Sequence, residues 1–245
     1  MHRVSKGSRF NQIYIPKEME KIFEVGDAVK VELIRKKIKI FAENVRLNDF
    51  KEKLIREIFS FLSRFNIKQI FFIGSFLSQK IDYRDIDIFI ISDEKIEAEI
   101  YEKLSEKFSL KFHLITIPEP KFKILSEICP LTRSMLYSYA SNKEYKLPKQ
   151  RIDKNHINFL LMMPEDLLKI QAGIRIFYDN IRRLITIERF LDNKELNSEK
   201  INSELKLLLG RLFEYSKENN EITKEIIEKF RKIIKLKLNL IKKKL

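Results

Sequence analysis

One stretch constrains this chain more than any other. The apolar run Gln69-Ile70-Phe71-Phe72-Ile73 leads into Gly74-Ser75. A nine-residue loop follows, and a second run begins as Asp85-Ile86-Asp87-Ile88-Phe89-Ile90-Ile91. Both runs have the length and residue types of strands. Residues two apart on a strand point to the same side. Asp85 and Asp87 therefore leave one face together, while Ile86, Ile88 and Ile90 enter a core on the other. Neighbouring carboxylates repel unless a cation sits between them, so the pair predicts a metal site. Glycine lets the backbone turn tightly after the first strand, and exposed N–H groups with the Ser75 hydroxyl can hold phosphate oxygens.

The surroundings fit this core. Asn48-Asp49 can cap a helix, with Glu52 placed to answer Asp49. Phe50, Leu54, Ile58, Phe61, Leu62 and Phe65 recur at helical spacing, which predicts an amphipathic helix over 50–65. Strands are predicted over 68–73, 85–91 and 110–117, and a helix over 95–108. The loop 76–84 is polar and ends in Arg84.

This order, with Gly74-Ser75, nine residues and Asp85-Ile86-Asp87-Ile88, resembles the nucleotidyltransferase superfamily of DNA polymerase β. The closest likeness is to its minimal nucleotidyltransferases, and it covers about residues 46–118. The resemblance implies an α/β domain with a mixed sheet, and Mg2+ held by Asp85 and Asp87. It further implies an NTP whose phosphates meet Gly74, Ser75 and Arg84, and transfer of a nucleotidyl group to an acceptor hydroxyl on RNA, protein or a small molecule. The family usually carries a third carboxylate on a later strand. Here that strand, Leu110-Lys111-Phe112-His113-Leu114-Ile115-Thr116-Ile117, has no Asp or Glu. Lys111 and His113 occupy the relevant face. His113 can stand in as a catalytic base or weak ligand, or be a strand histidine satisfied by hydrogen bonds. Glu119 lies just beyond, but the flanking Pro118 and Pro120 predict a loop there.

The first residues carry a second likeness. Ile13-Tyr14-Ile15-Pro16-Lys17-Glu18 and Val25-Gly26-Asp27-Ala28-Val29-Lys30-Val31 resemble the AbrB-type swapped-hairpin domain, over about residues 5–44. A strand ending at Pro16, a short helical turn, the Gly26-Asp27 turn and a hairpin over 28–41 are predicted. Forty residues alone bury too little surface to be stable. The resemblance implies that two copies interlace, making a homodimer through residues 1–45, with Arg3, Lys6 and Arg9 as DNA contacts.

Charge is unevenly spread. The net charge is +14, with 10 Lys and Arg against 6 Asp and Glu in residues 1–45, 12 against 13 in 46–120, and 27 against 16 in 121–245. Basic flanks around an acidic centre suit a polyanion such as nucleic acid. The single cysteine, Cys129, excludes an internal disulfide. With no apolar leader and no run of eighteen apolar residues, the sequence predicts a cytoplasmic protein with no membrane segment.

Pro118-Glu119-Pro120 reads as the boundary of a helical half. Residues 130–140 read as one helix and 142–154 as an exposed basic loop carrying Lys143, Lys146, Lys149 and Arg151, with Arg133 nearby. Met163-Pro164 reads as a helix start. Three long helices, over about 164–191, 205–215 and 222–234, would form a bundle, and the chain ends in a basic tail, Lys242-Lys243-Lys244. Arg151 and His156 have the R-x(4–6)-H spacing of the helical HEPN partners of minimal nucleotidyltransferases, but their place after Pro148 argues for a loop.

The fold expected is α+β: a small N-terminal β swapped-hairpin module (1–45), a nucleotidyltransferase domain with a mixed sheet (46–120) and a basic helical domain (121–245). Two functions remain open. One is a Mg2+-dependent nucleotidyltransferase. The other is a DNA-binding regulator or antitoxin-like protein whose nucleotidyltransferase fold only senses nucleotide.

Overall fold

Alternation of β-branched and aromatic residues in the middle of the chain produces strands that are apolar on both faces, so each face needs a cover. A computed structural model describes residues 4–6, 11–13, 22, 27, 38–78, 83–215 and 223–245. The chain divides into two compact units, Met1–Lys37 and Ile38–Leu245. In the first, β1 (Val4–Lys6) pairs antiparallel with β2 (Asn11–Ile13), Val4 opposite Ile13. The predicted hairpin over 28–41 lies outside the described residues up to residue 37.

The second unit is α+β, built on a mixed five-stranded sheet of order β3-β7-β4-β5-β6, where β3 is Phe41–Glu43, β4 Gln69–Ile73, β5 Ile86–Ile91, β6 Phe112–Ile117 and β7 Tyr139–Ser141. β4 and β5 are antiparallel, with Ile73 opposite Asp87. β5 and β6 are parallel, with Asp87 opposite His113. They are joined by α2 (Glu97–Phe108), the crossover that parallel neighbours require.

One face of the sheet, with Ile70, Phe72, Ile86, Ile88 and Ile90, packs on α1 (Asp49–Leu62) and α2. Asn48 caps α1 by accepting from the Lys51 N–H at 2.9 Å. The other face, with Phe71, Ile73, Phe89 and Ile91, packs on α3 (Glu119–Ile128) and on Leu136 in the turn that follows α4 (Pro130–Met135). Phe71 lies at its centre, with its ring 5.5 Å from Phe122, 5.3 Å from Tyr139 and 5.2 Å from Tyr145.

The structure corrects several expectations. Residues 130–140 are not one helix: after α4 the chain enters β7, whose Tyr139, Ala140 and Ser141 are buried between β3 and β4. The expected N-terminal hairpin ends at Phe41, which instead opens β3 of the central sheet, and residues 38–40 are not strand. Pro118-Glu119-Pro120 starts α3, because a proline near the first position lacks only an N–H that has no helical partner there. Phe50, placed on the apolar face of α1, is exposed. Pro164 lies near the end of α5 (Lys154–Asp166), not at a helix start, and α5 is capped by Asp153. Residues 142–153 are irregular, as expected, yet Tyr145 and Leu147 pack on the sheet's second core.

A helical cluster completes the unit. α5, α6 (Ile174–Leu191), α7 (Ser198–Leu209) and α9 (Lys224–Lys244) surround a core that includes Phe177, Phe190, Leu205, Phe230 and Ile234. Gly210, at φ +52°, ends α7 before the single turn α8 (Leu212–Tyr215), so the helix expected over 205–215 is broken. The expected basic tail is the last turn of α9. Lys242 pairs with Glu165 at 2.5 Å, and Lys244 with Asp192 at 2.6 Å. Among the described residues no helix is long and apolar enough to cross a membrane.

Phe71→Ala should remove the packing that holds α3 and the Tyr145 segment on the sheet, lowering stability by about 3–5 kcal/mol. Urea denaturation followed by circular dichroism measures it.

Candidate functional site

The turn after β4 is shaped by a missing side chain. Gly74 has φ +76° and ψ −157°, and it opens a single 3-10 turn, Ser75–Leu77. A Cβ on Gly74 would overlap Oδ2 of Asp87 and stand 3.0 Å from its Cγ. Both the positive φ and this close approach require glycine. The Gly-Ser pair and the second aspartate are therefore packed against each other, as their places at the ends of paired strands dictate.

Asp87 points to the Phe89 and Ile91 side of β5 and is half-buried; Asp85 lies in the bend just before the strand. Ser75 and Arg84 are exposed. Among the described residues Asp85 makes no hydrogen bond or ion pair, and Arg84 has no carboxylate partner. His113 comes to the same face through the parallel pairing of β5 and β6, and its Nδ1 lies 2.9 Å from Oδ1 of Asp87. The imidazole stays largely in solvent, with 62% of its side chain exposed against 24% for Asp87. With a hydrogen on Nδ1, the ring donates to Asp87 and turns the Nε2 lone pair outward.

Other sequence candidates are placed elsewhere. Glu119 heads α3 beyond the opposite end of β6, roughly 20 Å along the strand from His113 at the usual rise per residue. It binds Lys68 at 2.8 Å and Lys123 at 3.0 Å, and these ammonium groups hold its carboxyl down at about 2. It is a structural ion-pair partner and no substitute for the third carboxylate. The Arg133 guanidinium donates to the carbonyls of Ser126 at 2.6 Å and Pro148 at 2.8 Å, which occupies it with the backbone. Arg151 is exposed and sits 3.7 Å from Glu127. His156 lies on α5, not in a loop. Its Nε2 is buried with no hydrogen-bond partner among the described residues, and burial lowers its pKa. Arg3 and Arg9 lie outside the described residues, and Lys6 lies in β1.

One residue of the site region escapes a reading of the sequence. Lys51 is only 4% exposed, on the core side of α1 with Ile55, Ile58 and Leu62. Its Nζ donates to the Ser78 carbonyl at 2.6 Å and lies 5.5 Å from the Phe76 ring and 5.7 Å from the Tyr83 ring. It thus touches both the start and the end of the segment joining Gly74-Ser75 to Asp85. Burial lowers its pKa. The one signal in the sequence is a lysine in helical register with apolar core positions.

The donor set can be tested against a metal. Among the described residues no group of three or more His, Cys, Asp or Glu side chains converges as a metal cage. Mg2+ does not need one: it takes hard oxygens and is commonly held by one or two carboxylates together with nucleotide phosphates and water. Asp85 and Asp87, oxygen donors open to solvent beside a glycine turn, fit that chemistry. A metal that demands several nitrogen or sulfur ligands does not fit.

Gly74→Ala should destabilise the protein by about 1–3 kcal/mol, from its positive φ alone and more from the overlap with Asp87. In an Asp87→Ala background the cost should shrink, because the overlapping carboxylate is gone; a double-mutant cycle in urea measures the difference. Lys68→Met should raise the titration midpoint of Glu119. Its lowered pKa contributes stability above the ordinary glutamate range that is lost as pH falls from about 4.5 towards 2. Carboxyl-selective NMR reads the midpoint directly. The chain matches no protein-family model, and no curated protein and no solved structure matches it.

Proposed function

We propose that this protein is a metal-dependent nucleotidyltransferase of the DNA polymerase β type, acting on an NTP and an acceptor hydroxyl. The observation that carries the reading is the fit of Gly74 against Asp87: a glycine-serine turn and a carboxylate on the next strand form one surface, open to solvent, with Asp85 one step before it. In this reading Asp85 and Asp87 hold Mg2+, which neutralises triphosphate charge and stabilises the attacking and leaving oxygens. The backbone at Gly74-Ser75, the Ser75 hydroxyl and Arg84 bind phosphate oxygens. Asp87 orients His113 through Nδ1, and Nε2 is the group available to take a proton from the acceptor hydroxyl. Lys51 holds the intervening segment in place. The N-terminal unit acts in this reading as an AbrB-like swapped hairpin that makes the homodimer.

A second reading rests on the same histidine. One oxygen of Asp87 is already engaged by His113, and the family's third carboxylate is absent. A site so altered would bind nucleotide without transferring it. The protein would then be a DNA-binding regulator that reads DNA through Arg3, Lys6 and Arg9.

With labelled NTP and Mg2+, wild-type protein should turn over nucleotide, and Asp85→Ala with Asp87→Ala should abolish it. Turnover unchanged in the double variant would defeat the first reading. Nucleotide binding by the wild type without turnover, lost in the double variant, would favour the second.

A further inference from the structure

The end of the chain is basic in an unusual way. From Lys229 to Leu245 there are eight Lys and Arg and no Asp or Glu. All eight lie on α9, and the structure sorts them by what they touch. Lys229 pairs with Glu225, Arg231 with Glu228, Lys237 with Glu188, Lys242 with Glu165, and Lys244 with Glu188 and Asp192. These five are answered from within the fold. Lys232, Lys235 and Lys243 are exposed, and none is within ion-pair distance of a carboxylate among the described residues.

The three unanswered lysines fall on one side of the helix. At about 100° per residue they lie within an arc of roughly 80°. That arc is opposite the buried row Ile227, Phe230, Ile234, Leu238 and Ile241. Asn239, a neutral hydrogen-bonding residue, sits within the same arc, as do Glu225 and Glu228 nearer the start of the helix, which are paired with Lys229 and Arg231. Along the axis Lys232 and Lys243 are separated by roughly 16 Å at the helical rise, a span that covers about five phosphates of one strand of a duplex. Like charges three residues apart on a helix cost a few tenths of a kcal/mol, so the spacing of Lys232 and Lys235 is not one that the helix itself favours.

We infer that this outer face of α9 is a binding track for the phosphate backbone of nucleic acid, without base readout. The partner follows from the chemistry. A lipid surface also attracts lysines, but an interfacial helix must offer an apolar face to the acyl region. The apolar row of α9 is committed to the helical core. Lysine supplies a point charge that suits phosphate without demanding a fixed geometry. The inference stands apart from the nucleotidyltransferase reading, since it uses none of that site's residues, and it is separate from the proposed DNA contacts at the N-terminus.

The test uses the full chain and a fluorescein-labelled 20-base-pair duplex, with anisotropy measured over a series of salt concentrations. Lys232→Gln with Lys235→Gln and Lys243→Gln should weaken binding at least about tenfold at low salt. The same variant should flatten the log–log salt slope by about 2–3, since each phosphate no longer neutralised removes about 0.9. A control variant, Lys95→Gln with Lys103→Gln and Lys107→Gln on and before α2, removes the same charge elsewhere and should change both far less. Circular dichroism should show both variants folded. Four results would each overturn the inference: no duplex binding by wild type, an unchanged slope in the α9 variant, equal effects in the two variants, or tighter binding to polyglutamate or to vesicles of anionic lipid than to the duplex.

Discussion

The contact between the Gly74 backbone and the Asp87 carboxylate is the constraint on which the site region depends. It lies where antiparallel β4 and β5 meet, with Ile73 opposite Asp87. No side chain larger than hydrogen fits at residue 74, and its backbone conformation is one that other residues resist. The turn is thereby drawn against the aspartate. Lys51 reaches the same region from α1, touching Phe76 and Ser78 after the turn and Tyr83 before β5. Three elements distant in sequence are tied at one point. The Lys51 ammonium loses hydration there, and the Ser78 carbonyl and two ring faces are among the groups that offset the loss.

The centre of the chain is legible in the sequence because its local and long-range demands agree. Strand periodicity in 69–73 and 86–91, the Asn48 cap and the apolar row of α1 all point to the structure found. The departures have a common cause. β7 has three residues, and Tyr139-Ala140-Ser141 has no strong strand preference; it is a strand because β3 and β4 flank it and Asn142 continues the bonding, its Oδ1 accepting from the Ile70 N–H. Alternation places Phe41 at the end of a hairpin for the same reason, since it shows that a segment is a strand but not which strand it pairs with; Phe41 begins β3, paired with β7. Proline misleads in both directions. Pro120 has the look of a breaker although a helix start tolerates it, and Pro164 the look of a start although it lies in the last turn of α5, where it removes one hydrogen bond and its ring crowds the Leu160 carbonyl.

The site divides along the same line. Gly74-Ser75 and Asp85-Ile86-Asp87 are local patterns, and local patterns survive in a sequence. The meeting of His113 with Asp87 depends on parallel register across a crossover of some twenty residues, which no local pattern encodes. The strand face of His113 names it as a candidate, but nothing local names its bond to Asp87. Glu119 shows the converse. It is near in sequence, yet strand geometry carries it to the far end of β6, where Lys68 and Lys123 claim it.

Electrostatics then explains how so basic a chain folds. The cations of α9 that face the helical core meet carboxylates of α5 and α6, and the best sheltered of these pairs, Lys237 with Glu188, is 15% and 17% exposed. The remaining pairs are more open, where each is worth about 1 kcal/mol or less. The stability of α9 must come instead from its buried row, where Phe230 meets Phe177 at 5.8 Å between ring centres. Because folding does not lean on the outer lysines, their charge is free to be set by what approaches from solvent. A helix whose inner face is committed and whose outer face is uncommitted can carry a net positive surface without weakening the core beneath it.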